Sequence, residues 1–304
     1  MLKEKISQLR DYTITPAEMA FLLRVGLGLV FLTGGLNKLY QLLDPALEDA
    51  ILAAYMGPKG YINTFFTQYL FDGAVPFLTP WGFLTSLSFL EFFAGVFLIA
   101  GFLIRPVSLG FGLLVWVFVL ALPVTTTPGV EVIESTYTAP ALLVQARDVG
   151  LSGLLFVLFN LGAGRFSPGS KVLPHWAKAS DVGWDSLGLL LRLSIALPLL
   201  VGGFFAGMAN IQSFATPALV LIITGLAIAF NIFPRVFGAI AVAIFIWFIG
   251  TKINLDFSVI KNLNGFKREL AYLAAAACFT LAGGGNLFTK KSVFKMPARK
   301  TDAG

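Results

Sequence analysis

Charge is what this sequence has least of. Asp, Glu, Lys and Arg make up 12% of its 304 residues, against about 25% in an ordinary soluble domain. A chain without that surface cannot hold most of its outside in water. It also has one cysteine, Cys278, and one histidine, His175. A lone cysteine forms no internal disulfide, zinc site or iron–sulfur cluster, and one histidine in a polar loop gives no bis-histidine haem. The expectation is a chain with no metal and no covalently bound cofactor. The apolar/polar alternation of a membrane barrel is missing as well. MLKEKISQLRDYTITPAE has neither an apolar core nor a small-residue cleavage site, so no signal peptide is expected there.

What is present is apolar: 57% of residues are hydrophobic, and the mean hydropathy is +0.83. Runs of about 20 apolar residues suit a hydrocarbon core roughly 30 Å thick, and lipid leaves helices as the only open-ended spanning element. The fold expected is all-α: a polytopic membrane protein of about eight transmembrane helices. The spans read as 15–39, 80–103, 107–122, 148–164, 187–209, 216–233, 236–249 and 270–283. Thr15-Pro16-Ala17-Glu18 opens the first with a capping box and a proline at the first helical position. Tyr and Phe at helical spacing in YMGPKGYINTFFTQYLFDG point to short interfacial helices between the first two spans.

Positive residues set the orientation. The N-terminus, two Arg turns, the central linker and the C-terminal tail hold 13 of the 22 Lys and Arg, and the connections on the other side hold 7. Both termini are therefore expected on the cytoplasmic side of the cell (inner) membrane. The net charge of +6 then reflects topology and anionic headgroups, not nucleic acid.

The pattern restarts after a Pro-, Ser- and Gly-rich linker, SPGSKVLPHWAKASDVGWD. Arg24 with Gly34-Gly35 aligns with Arg192 and Gly202-Gly203. Arg105-Pro106 aligns with Pro234-Arg235, and Asp148 with Gly162-Ala163-Gly164 aligns with Glu269 and Gly283-Gly284-Gly285. Two four-helix repeats are expected, residues 1–166 and 187–304, joined by a cytoplasmic linker at 167–186. An even number of spans per repeat makes them parallel, related by an axis along the membrane normal.

Glu91 stands about eleven residues into an apolar span, roughly 16 Å deep. A carboxylate there must face the bundle, pair with a cation or be protonated. It either contacts a proton or a quinone headgroup, or it forms a structural ion pair. Lys38, read as the one nearby cation away from an inner turn, is its expected partner. Arg24 and Arg192 are expected to snorkel to headgroups or carbonyls. The glycine pairs read as packing positions. Asp148 beside Arg147, and Glu269 beside Arg268, read as helix-end residues that favour the helix dipole. Cys278, among alanines, reads as a small apolar residue.

The run Arg24…Gly34-Gly35-Leu36-Asn37-Lys38, then Glu91 with Gly95 and Gly101, then Asp148…Gly162-Ala163-Gly164-Arg165-Phe166-Ser167, resembles the DoxX/DoxD family of four-helix membrane proteins. The second half resembles the module more weakly: Ala206 replaces Lys38, and nothing replaces Glu91. The family includes the DoxD-type subunit of thiosulfate:quinone oxidoreductase. The resemblance implies a membrane subunit of a quinone-linked system, with quinone near Lys38 and Glu91 and other membrane subunits as partners; if the Lys–Glu pair forms a site, only the first half has it, and the second is a scaffold or docking surface. An accessory subunit packed against a larger complex and lipid is the alternative. A small-substrate transporter is a third reading, against which stand the lack of broken helices and of paired polar sites.

Overall fold

The chain is seen in a computed structural model that describes residues 14–57, 60, 62, 67–74, 78–131, 141–208, 211 and 213–289. The N-terminal segment and basic C-terminal tail used to assign orientation lie outside the described residues from 1 to 13 and from 290 onward. Parts of both long outer connections lie outside them too.

Helix α1, Pro16–Leu42, begins as its residues dictate: Thr15 caps it, Glu18 closes the capping box and Pro16 occupies the first turn. The connection after it carries α2, Glu48–Met56, and a π-helical stretch, Thr67–Ala74. Thr79 caps α3, Pro80–Ala100, which ends on Gly101 at φ +72°. Glycine suits that left-handed cap, having no Cβ to clash there. Helix α4, Ile104–Leu120, follows directly, and α5 is Ala141–Leu161. Past the linker come α6, Trp184–Phe204, α7, Ala218–Ala229, α8, Pro234–Lys252, and α9, Val259–Ala282.

The protein is thus an all-α polytopic membrane protein. Helices α1, α3, α5, α6 and α8 are each long and apolar enough to cross a bilayer. Helices α4 and α7 are apolar but shorter; α7 alone rises about 18 Å. Helix α9 is long but carries Lys261, Lys267, Arg268 and Glu269. Side chains such as Leu90, Phe93, Leu113, Trp116, Leu120 and Trp247 are exposed on the outside of the bundle, where the bilayer is their solvent.

Bare backbone mediates close packing. A Cβ on Gly35 would fall 2.5 Å from Phe92 N and 2.6 Å from Ser88 O, and one on Gly95 would fall 2.3 Å from Leu32 N. Helices α1 and α3 therefore touch along their main chains, which maximises dispersion contact where no hydrophobic effect operates. In each half the first helix packs on the second and the third on the fourth, and α1 and α6 each pack on the last helix of the other half. Left-handed residues fall at matching places: Leu103 and Phe233 before α4 and α8, Gly162 and Gly283 after α5 and α9.

Candidate functional site

Helices α5 and α9 begin earlier than their apolar runs. Asp148 lies inside α5, which starts at Ala141, and Glu269 inside α9, which starts at Val259. Asp148 is therefore not a helix-end residue, and the dipole-capping role expected of it is corrected; Glu269 lies in the first turn after a break in α9 at Phe266. What lets charges sit within these helices is a crossed pair of ion bridges. Arg147 Nη1 donates to Glu269 Oε1 at 3.1 Å, while Arg268 Nε donates to Asp148 Oδ1 at 2.8 Å. Each Arg–acid dyad thus binds an Arg–acid dyad from the other half of the chain. Tyr272, fully buried, donates its hydroxyl to Arg147 O at 2.5 Å. Burying charges is costly unless each is paired with good geometry, and here every carboxylate has its guanidinium.

Beside this cluster, Lys38 Nζ donates to Glu91 Oε1 at 2.6 Å, with both side chains 11% exposed. The expected pair is real, and Glu91 points into the bundle. Lys38 is not the one nearby cation, however. Where a Cβ of Gly34 would sit, Lys267 Nζ comes within 2.9 Å and Glu91 Oε2 within 3.3 Å. Lys267 also donates to Asn264 Oδ1 at 2.8 Å. Gly34 is therefore more than a packing position: its missing side chain leaves room for charges from α3 and α9 to meet against α1.

These groups line a cavity of about 310 Å³. Lys38, Glu91, Arg147, Asp148, Lys267 and Arg268 contribute charge to its lining, with Asn37, Gln41 and Asn264 beside them. Apolar residues of α1, α3, α4 and α5, among them Phe31, Leu87, Val115 and Leu151, complete the lining. The cavity lies at the end of the bundle where α1 finishes and α9 begins. A volume and mixed lining of this kind are those of small-molecule sites. No cluster of three or more potential metal ligands occurs among the described residues.

Helix α9 supplies Lys267 and Arg268, so the second half of the chain also lines the cavity. Its contribution was hidden by distance in sequence; the run Lys267-Arg268-Glu269 at the head of an apolar stretch was the available signal. Helix α9 is also kinked at Phe266, next to these residues, where the backbone leaves helical geometry at φ −133°, ψ 19°. A broken helix and paired polar sites both exist, which removes the two grounds held against a transporter.

Arg24 and Arg192 lie at the opposite end and do not snorkel to lipid. Both are fully buried. Arg24 donates to the carbonyl oxygens of Ile99, Arg165 and Phe166 at 2.9, 2.6 and 2.5 Å, and Arg192 donates to Leu287 O. Each arginine fastens the loop after the last helix of its own half, so their task is structural. Cys278 is fully buried in α9, as a small apolar residue would be.

The model of the family described as DoxX matches residues 19–124. That stretch includes Lys38 and Glu91 and ends before α5. No curated protein and no solved structure matches the chain.

Proposed function

We propose that this is a membrane protein of the DoxX type, as the family match over residues 19–124 supports, and that it is a membrane subunit binding a lipid-soluble, quinone-class ligand in the cavity at Lys38 and Glu91. The observation that carries this reading is the mixed lining of the cavity. Ring carbonyls need a few fixed donors, which Lys38, Lys267 and Asn264 supply, while the ring and tail need apolar contacts, which Phe31, Leu87, Val115 and Leu151 supply. The chain has no metal-ligand cluster of its own among the described residues, so electrons would pass to or from a partner subunit, in a quinone-linked and, by family resemblance, sulfur-oxidising system. With both termini cytoplasmic, as the positive residues imply, the cavity faces the outer leaflet of the inner membrane. The matching helix partners and left-handed residues of the two halves support the reading of two parallel repeats that together provide eight spans.

Photolabelling with an azido-quinone in lipid nanodiscs tests this directly. Labelled peptides from α1, α3 and α9, competed by unmodified quinone and lost in Leu87→Trp, are expected. Labelling confined to lipid-facing residues such as Phe93 or Trp116 would contradict it and favour a non-catalytic accessory subunit. The kink in α9 and the ion bridges between halves give the transporter reading its own support. Uptake of a polar solute into proteoliposomes, lost on breaking the Asp148–Arg268 bridge, would promote that reading over quinone binding.

A further inference from the structure

Among the described residues, the charges around the cavity do not balance. Lys38, Arg147, Lys267 and Arg268 are four cations, and Glu91, Asp148 and Glu269 are the three carboxylates bonded among them. Three pairs account for six of these groups. Lys267 is the remainder, with a neutral amide, Asn264 Oδ1, as its hydrogen-bond partner. The nearest carboxylate oxygen on its side, Glu91 Oε2, belongs to a group whose other oxygen is already bonded to Lys38. Two lysines therefore face one carboxylate, and among the described residues the cavity has one more cation than carboxylates. Arg147 adds a buried Nε without a partner among the described residues. A strongly hydrated ammonium in a partly buried, half-apolar space is costly unless something answers it.

We infer that the cavity is a site for an amphipathic monoanion: one carboxylate or similarly charged oxygen group held between Lys267 and Lys38, on an apolar body lying against Phe31, Leu87 and Val115. One excess cation among the described residues fits one anionic group, and the apolar part of the lining disfavours a fully hydrated ion. Gly34 is what makes the seat, since any side chain there would reach the space beside Lys267 Nζ. The inference rests on reading the cavity as a ligand site, and is independent of whether that ligand is a quinone.

Two probe pairs of matched shape and different charge test it in nanodiscs by equilibrium binding. Naphthoate is compared with neutral naphthamide, and a hydroxynaphthoquinone, anionic at neutral pH, with its methoxy ether. The expected result is tighter binding of naphthoate than naphthamide by at least about tenfold, the worth of one charge-assisted hydrogen bond. That preference should fall to within about twofold in Lys267→Gln and persist in Lys267→Arg, with folding of each variant checked by unfolding. Should Lys267→Gln not fold, the wild-type preference decides by itself. Equal binding of naphthoate and naphthamide, a preference that survives Lys267→Gln, or no binding of either overturns the inference. Binding of the methoxy quinone with no charge preference in either pair would overturn it while leaving the quinone reading intact. A naphthoate preference with neither quinone bound would do the opposite.

Discussion

Replacing Glu91 with Gln removes the one carboxylate that lies between Lys38 and Lys267 while changing little in shape. The bridge to Lys38 is short, 2.6 Å, and both of its side chains are 11% exposed, so Lys38 cannot turn to bulk water. Breaking a buried pair on one side costs about 3–5 kcal/mol, because the partner charge stays behind. The polar part of the cavity lining admits some compensation, which places Glu91→Gln near the lower figure, about 3 kcal/mol. Removing Lys38 as well should recover at least about 2 kcal/mol, since a neutral replacement of both partners is often tolerated. Unfolding by steric trapping in bicelles, on Glu91→Gln and Glu91→Gln/Lys38→Met, measures both quantities. A single variant within about 0.5 kcal/mol of wild type, or a double variant no better than the single, would refute the reasoning. Binding separates structure from function. If the pair only ties α1 to α3, quinone affinity per folded molecule stays unchanged in Glu91→Gln; if it belongs to the site, affinity falls.

Three further outcomes follow from the packing. Gly35→Ala, whose new Cβ would lie 2.5 Å from Phe92 N, should cost about 1–3 kcal/mol by forcing α1 from α3. Gly110→Ala, with nothing within 4 Å, should change stability by less than about 0.5 kcal/mol; equal effects in the same unfolding assay would contradict the α1–α3 contact. Arg24→Met leaves the carbonyls of Ile99, Arg165 and Phe166 without their donor and should lose about 2–4 kcal/mol, with faster proteolysis after Phe166 as the readout. A double-mutant cycle on Arg147 and Glu269 should give a coupling of about 1–3 kcal/mol. Coupling near zero would mean that the two halves are not joined through their dyads.

Much of this architecture was legible in the residues. The capping box at Thr15, the apolar runs and the Lys38–Glu91 pair all follow from local rules: one buried carboxylate in an apolar helix needs a cation, and α1 offered one at a compatible depth. What sequence reading missed is non-local. It started α5 and α9 at Asp148 and Leu270, because a run of charges reads as the end of a span. It could not show that Arg147 and Arg268 would each find the other's acid across the bundle, and so pass within the membrane. Lys267 escaped notice for the same reason. Its role depends on Gly34, more than two hundred residues away, being small enough to let it approach Glu91. Arg24 and Arg192 were expected to reach headgroups or carbonyls; it is carbonyls that they bind, and which ones was hidden because they come from elements distant in the chain.

The central claim is that the cavity holds a lipid-soluble quinone-class ligand. Its most direct test is to purify the full chain into nanodiscs without detergent exposure, extract it and quantify bound quinone by mass spectrometry, alongside Leu87→Trp, in which the indole would fill the apolar part of the cavity. The account predicts stoichiometric quinone with the wild-type protein and a loss of at least about tenfold in the variant, the scale of burying or excluding a ring against this lining. Quinone no higher than in empty discs, or equal amounts in both proteins, would contradict it.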